Sequence, residues 1–117
     1  MPPKVIAIDF DGVIHSYKSG WQGASVANDP PVDGMAEAIA ELRREYQVVV
    51  VSSRCLHEGG TQAIKDYLEK HNIAVDGITG EKIPALAYID DRAIPFYGKA
   101  SELPGQVKRF KPWHTRW

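Results

Sequence analysis

Four carboxylates follow two apolar runs of the chain, at the point where each run ends. They are Asp9 and Asp11, at the carboxyl end of the run at 5–10, and Asp90 and Asp91, after the run at 85–89. Like charges gathered in one site either raise each other's pKa or bind a cation. A hard divalent ion with oxygen ligands is the natural partner, and Mg²⁺ typically combines one or two carboxylates with water and phosphate oxygens. The pattern therefore predicts a magnesium site.

A hydroxyl and an ammonium group accompany these carboxylates. Ser52 follows the four valines at 48–51, and Lys82 lies shortly before the run at 85–89. Phosphoryl transfer needs its negative charge stabilised by metal ions, cations and hydrogen-bond donors. A phosphoryl group is thus the predicted ligand.

The elements that would position these groups alternate between strands and helices. Strands are predicted from short apolar, β-branched runs, and helices from apolar residues spaced three and four apart. The predicted strands are 5–10, 48–51, 75–78 and 85–89, with a marginal one at 94–97, and the predicted helices are 34–45, capped by Asp33, and 61–71. This order predicts an α/β fold, a doubly wound parallel sheet in three layers with helices on both faces. The carboxyl ends of its strands would gather the polar residues at one edge.

Length and composition favour one domain in a reducing compartment. The chain has 117 residues, 44% of them hydrophobic, a net charge of −1 and a single cysteine, Cys55. This size suits one domain spanning 1–117, with a long loop at 12–32 and a basic, aromatic tail at 108–117. No export signal and no run long enough to cross a membrane is visible, so a cytoplasmic location without membrane partners is expected.

The ordered motifs resemble those of the haloacid dehalogenase-like superfamily. Asp9-Phe10-Asp11-Gly12 after an apolar strand is similar to its DxD nucleophile motif, and Ser52, Lys82 and the pair Asp90-Asp91 are similar to its second, third and fourth motifs. The motifs extend over most of the chain in the family's order. The resemblance implies a Rossmann-like core and a hydrolase that cleaves phosphate monoesters.

The resemblance also implies a role for each residue. Asp9 would attack phosphorus to form an aspartyl-phosphate, and Asp11 would act as general acid and base. Ser52 would bind a phosphoryl oxygen, and Lys82 would neutralise the phosphate and hold Asp9. The Mg²⁺ ligands would be Asp9, the Asp11 backbone carbonyl, Asp90 and Asp91, the last directly or through water.

The gaps between motifs hold a loop and one helix each, which resembles a member without a cap domain. Its open site would admit a bulky substrate or be closed by a partner subunit, and the loop at 12–32 with Trp21 would serve as a substitute lid. Gly12, Ser53, Arg54 and Trp21 are further candidates for substrate binding. Arg54 is equally suited to pairing with a carboxylate.

The substrate and the fate of the phosphate remain open at this stage. A phosphorylated small molecule is the first expectation. A phosphorylated nucleic-acid end is the second, because the tail mixes basic and aromatic residues that could also pack on the domain or at a homo-oligomer contact. Alternatives to hydrolysis are a phosphotransferase, a receiver-like signalling domain and a non-catalytic binding protein. In a receiver the lysine would come after the acidic residues, whereas here Asp90 and Asp91 follow Lys82.

Overall fold

The computed structural model describes residues 4–114. Apolar, β-branched segments form the strands, and segments with an apolar stripe form the helices. The elements are β1 (Val5–Ile8), α1 (Met35–Leu42), β2 (Gln47–Val51), α2 (Gly60–Lys70), β3 (Gly77–Thr79), β4 (Ala87–Ile89) and α3 (Leu103–Arg109), with short 3₁₀ turns at Ser53–Leu56 and Ala100–Glu102.

The four strands form one sheet in the order β3-β2-β1-β4, and every neighbouring pair is parallel. Ile6 on the central strand β1 pairs with Val48 of β2 and with Ala87 of β4. The pairing of β1 with β4 extends past their ends, where the Asp9 amide donates to the Ile89 carbonyl at 2.9 Å. The predicted α/β fold with a parallel sheet is confirmed.

The hydrophobic core lies on one face of this sheet. Ile8, Val48 and Val50 belong to the same buried cluster as Ile39 of α1 and Ile64 of α2. The chain steps from β1 to β2 and on to β3 in one direction, and right-handed crossovers place both helices on the same side. Burial of these side chains supplies most of the free energy that holds the helices to the sheet.

Helical cover of the second face, which a doubly wound sheet requires, is not confirmed. The chain returns from β3 to β4 through residues 80–86, which contain neither helix nor strand, so this crossover places no helix there. On that face Val49 and Val51 are half-buried and Tyr88 is exposed. The physical reason is length, because seven residues with Pro84 among them leave no room for a crossover helix.

Several predicted boundaries need correction. Asp33 does not cap α1, because the N-cap is Gly34 in a left-handed conformation (φ 79°) with no side-chain cap. The helix ends at Leu42 rather than Glu45, and β1 ends at Ile8, so Asp9 lies just beyond the strand. The marginal strand at 94–97 does not form, whereas α3 lies in a segment that contains Pro104 and Gly105 and was not predicted as helical.

The segment at 12–32 contains no helix and no extended strand, as predicted, but it is closed at its base. The Ser16 amide donates to the Pro30 carbonyl at 3.0 Å, and the Val32 amide donates to the Ile14 carbonyl at 3.0 Å. Ile14, His15 and Ser16 are buried. The base of the loop is therefore part of the packed domain.

Among residues 4–114, no helix is both long enough and apolar enough to cross a membrane. Of the tail at 108–117, residues 110–114 follow α3 as irregular chain, and 115–117 lie outside the described residues.

Candidate functional site

The site lies where the strand order changes direction. From β1 the chain crosses to β2 on one side, and β4 later pairs on the other side of β1. In open α/β sheets ligands bind at this switch point, beyond the carboxyl ends of the strands. Asp9 follows β1 and Asp90 follows β4, so the fold brings their carboxylates together.

Three of the four predicted carboxylates form a compact cluster. Asp9, Asp90 and Asp91 each offer one oxygen, and these oxygens lie within 4.8 Å of one another. Burial and the neighbouring carboxylates of Asp91 and Asp90 together raise the pKa of Asp9 to about 8. Such mutual repulsion is relieved when a cation binds among the carboxylates.

The surroundings of Asp91 test whether the cluster fits a metal ion. Its side chain is 1% exposed, Oδ2 lies 2.5 Å from His114 Nε2, and Oδ1 is buried with no hydrogen-bond partner within residues 4–114. A buried carboxylate oxygen without a partner carries a large desolvation cost. A divalent cation would satisfy it, and an all-oxygen set of carboxylates suits Mg²⁺. The cluster could therefore hold a metal ion.

Asp11 takes a different position from the other three. Arg54 donates to it through Nε at 2.7 Å and Nη2 at 2.9 Å, and His15 Nδ1 lies 2.8 Å from Oδ1. Burial raises the pKa of Asp11, but the hydrogen bonds from His15 and Arg54 and the charge of Arg54 outweigh it and hold that pKa below its ordinary value. Its carboxylate is thus ionised and belongs to an ion pair rather than to the metal cluster.

Arg54 is a structural clamp rather than a group that can reach substrate. Its side chain is 0% exposed, and Nη1 donates to the carbonyls of Gly23, Ala24 and Val26 at 3.2, 2.8 and 2.9 Å. The same guanidinium lies 5.0 Å from the centre of the Trp21 ring. Arg54 therefore ties the long loop to Asp11, and its assignment to substrate binding is corrected.

Both predicted serines reach the site. Ser52 is buried and its Oγ accepts from the Arg54 amide at 3.2 Å, while the exposed Ser53 begins the following 3₁₀ turn. They line a cavity of about 390 Å³ together with the carboxylates. The full lining is Asp9, Asp11, Tyr17, Trp21, Val51, Ser52, Ser53, Asp90, Asp91 and Arg92.

Lys82 is not among the residues that line this cavity. It is exposed, and its Nζ lies 5.7 Å from the centre of the Tyr88 ring. Lys82 belongs to the irregular connection at 80–86 and lies beside Tyr88 of the edge strand β4, so the structure does not bring it to the Asp9 cavity as predicted. Arg92, 3.9 Å from Asp91 Oδ2, is the cation on the cavity wall.

Gly12 packs beneath the site instead of facing it. It is buried at φ 84°, and a Cβ there would overlap Asp91 Oδ2 and lie 2.6 Å from His114 Nε2. Its carbonyl accepts a hydrogen bond of 2.7 Å from the Trp113 indole. The glycine thus lets the tail approach Asp91, because any side chain would clash.

The contacts of His15, Trp113 and His114 were not predicted from the sequence. Residues 12 and 113 are separated by 101 positions, and no short-range pattern signals such a contact. The aromatic composition of the tail was the available signal, and its packing on the domain was one of the three interpretations that it allowed.

No family model and no curated protein matches the chain. Two solved structures share its fold. A chain of the Pnkp1/Rnl/Hen1 complex superimposes with a TM-score of 0.57 at 18% identity, over 96% of this chain and 36% of that one. A chain of the Pnkp1/Rnl/Hen1 RNA repair complex gives a TM-score of 0.53 at 16% identity, over 93% and 32%. This chain therefore spans about a third of the length of these neighbours.

Proposed function

We propose that this chain is a phosphomonoester hydrolase of the haloacid dehalogenase-like superfamily that requires a divalent cation, with Mg²⁺ the ion its ligands suit. The observation that carries the proposal is the cluster of Asp9, Asp90 and Asp91 oxygens within 4.8 Å of one another, together with a buried Asp91 Oδ1 that has no hydrogen-bond partner among residues 4–114. The order of the motifs in the sequence supports phosphate-monoester hydrolysis as the reaction.

Asp9 is the proposed nucleophile. One of its oxygens forms a bond to phosphorus while the bond from phosphorus to the departing alcohol breaks, and water then hydrolyses the aspartyl-phosphate to release inorganic phosphate. The cation, when bound among the carboxylates, neutralises charge on the phosphoryl oxygens. The Ser52 hydroxyl lines the cavity, accepts a bond from the Arg54 amide and would donate to a phosphoryl oxygen.

Asp11 is the proposed proton acceptor for the hydrolytic water, since Arg54 and His15 keep it ionised. The same contacts make it a poor proton donor to the departing alcohol. We therefore expect faster turnover of aryl phosphates, whose leaving groups depart without a proton, than of alkyl phosphates.

The fold shared with chains of an RNA repair complex supports including phosphorylated nucleic-acid ends among the substrates to be assayed. A phosphorylated small molecule is the other class, because the cavity of about 390 Å³ is within the size range of sites for small ligands.

The test is phosphate release from an aryl phosphate with and without Mg²⁺. Asp9→Asn should lower kcat by at least about 10³-fold, as removal of a catalytic nucleophile does. Asp33→Asn is the matched control, because Asp33 is an exposed carboxylate that does not line the carboxylate cavity, and it should leave the rate unchanged. Turnover that survives Asp9→Asn, or that persists in a chelator, would contradict the proposal.

A receiver-like domain that keeps its phosphoryl group is the second candidate. The clamped Asp11 favours it, because His15 and Arg54 lower the pKa of this carboxylate and so make it a weaker base for the hydrolytic water. Acid quenching after reaction with a labelled aryl phosphate separates the two. A phosphorylated protein that persists for minutes favours the receiver, whereas one that decays at the turnover rate favours the hydrolase.

A further inference from the structure

A second cavity opens directly beside the carboxylates. It has a volume of about 660 Å³ and is lined by Ser16, Tyr17, Lys18, Gly20, Arg92, Trp113 and His114. Tyr17 and Arg92 also line the carboxylate cavity, so the two spaces share a wall. A substrate whose phosphate lies at Asp9 would therefore extend its remaining part into this side cavity.

The wall of the side cavity carries a fixed aromatic platform. The indole of Trp113 is held by its bond to the Gly12 carbonyl, yet 63% of the residue is exposed. His114 packs edge-on against both Trp113 and Tyr17, with ring centres 5.6 and 5.7 Å apart. A ring that is fixed at its polar edge and open on its surface can stack on a planar ligand at small entropic cost.

Two cations complete the wall. Lys18 is exposed, and Arg92 is 64% exposed with Nε 3.9 Å from Asp91 Oδ2. Cations beside an aromatic platform are the combination that holds nucleotides, because bases stack on the ring and phosphates pair with the cations. An aliphatic sugar phosphate would leave the indole surface unused.

We propose that the side cavity binds the nucleoside part of the substrate, so that the chain acts on a phosphate carried by a nucleoside, either free or at the end of a strand. The base stacks on Trp113, and Lys18 and Arg92 hold further phosphate charge. This inference rests on the proposed function for the position of the scissile phosphate, but nucleotide binding can be measured without turnover.

The experiment compares ligands that differ only in the base. Calorimetric binding and kcat/KM, both in Mg²⁺, are measured for adenosine 5′-monophosphate against ribose 5-phosphate, and for the corresponding 3′ pair. Stacking should favour the nucleotide of at least one pair by about tenfold. Trp113→Leu should remove most of this preference, and Trp113→Phe should keep much of it. The control is Phe96→Leu, because Phe96 is a similarly exposed aromatic residue outside both cavities. This control should keep the whole preference.

The outcomes separate the two proposals. Equal affinity for nucleotide and sugar phosphate in both pairs, or a preference unaffected by Trp113→Leu, would overturn the side cavity as a base site while leaving aryl phosphatase activity intact. A base preference in binding without any turnover would support the side cavity and overturn the hydrolase.

A third ligand distinguishes the two sources of nucleoside phosphate. The ligand is a five-nucleotide strand with a terminal phosphate. The source is a strand end if this strand binds more tightly than the mononucleotide and if Lys18→Gln removes the gain in affinity. The control Lys65→Gln should keep that gain. If the strand binds no more tightly, the source is a free nucleotide.

Discussion

At the scale of single residues, the two aspartates of the DxD motif separate into different environments. Burial and two neighbouring carboxylates raise the pKa of Asp9, whereas His15 and Arg54 lower the pKa of Asp11. These surroundings make the first a partner for a cation and favour the ionised form of the second. Identical side chains two positions apart acquire distinct roles in this way.

Arg54→Met tests how much the contacts between Arg54 and Asp11 stabilise the folded chain. The change leaves an ionised Asp11 without its main partner and frees the carbonyls of Gly23, Ala24 and Val26, so we expect the free energy of unfolding to fall by about 3 kcal/mol. Urea denaturation at pH 7 measures this. Arg92→Met, at a side chain that is 64% exposed, is the control and should change stability little. Equal effects of the two changes would contradict the clamp.

Magnesium should stabilise the folded chain through the cluster of Asp9, Asp90 and Asp91. A ligand that binds the folded state alone adds RT ln(1 + [L]/Kd), so Mg²⁺ at about ten times its Kd should raise Tm by several degrees. Asp91→Asn should abolish the shift, and Asp33→Asn should preserve it. A Tm that does not respond to Mg²⁺ would count against the metal site.

At the scale of elements, the beginning of β2 and the end of α1 are joined by one carboxylate. Asp76 Oδ2 accepts from the Val48 amide at 2.8 Å, and Asp76 also receives two hydrogen bonds from Arg43, at 2.9 and 3.1 Å. The Asp76 amide in turn donates to the Val48 carbonyl. This residue therefore aligns the helix with the sheet on the side away from the carboxylate cavity.

Asp76→Ala should cost about 1 kcal/mol at pH 7, because a charge-assisted bond to a backbone amide is lost. The hydrogen bonds from Arg43 and Val48 lower the pKa of Asp76 from 3.8. Its contribution is therefore complete above about pH 4 and is lost as the pH falls through the lower value of the folded state. Denaturation of both proteins at pH 7 and pH 2 checks this, since the two stabilities should converge in acid. The control is Glu41→Ala, at an exposed pair with Arg44, which should have a smaller effect.

At the scale of the whole molecule, the long loop is a wall of the site held by buried contacts. Besides the Arg54 clamp, Tyr67 of α2 donates to the Asp29 carbonyl at 2.8 Å, and the Asp29 amide donates to His15 Nε2 at 3.1 Å. These bonds connect the loop to the core cluster. A swinging lid would have to break them.

Hydrogen exchange distinguishes a wall from a lid. The amides of Ser16 and Val32, bonded to Pro30 and Ile14, should exchange nearly as slowly as the Asp9 amide at the end of β1. Exchange of the two loop amides within seconds while Asp9 stays protected would show that the loop opens independently. Arg54→Met should accelerate the loop amides more than that of Asp9.

Residues 4–114 also leave partly exposed a sheet face that a three-layer fold would cover, although Ala7 at its centre is buried. Tyr88 of β4 is 37% exposed, and Val49 and Val51 are half-buried. This chain corresponds to roughly a third of the length of its structural neighbours. The superpositions cover 96% and 93% of this chain.

The sequence by itself determined the parallel α/β fold and the joint position of Asp9, Asp90 and Asp91. Both follow from local rules, because β-branched runs form strands and the polar residues after parallel strands meet at one edge. Local rules did not predict three other features correctly. These are the strand at 94–97, the Asp33 cap and the helical cover of the second face. Weak local preferences at those positions were outweighed by turn geometry and by the short connection at 80–86.

Only the tertiary structure decided the partners of the charged side chains. Arg54 was compatible with substrate or with a carboxylate until the fold buried it against Asp11, 43 residues away in sequence. Lys82 matched a motif position but lies beside Tyr88, and His114 reached Asp91 from the far end of the chain. The partner with which a long, flexible charged side chain pairs depends on distance and on desolvation. Both are set by packing between remote segments rather than by local sequence.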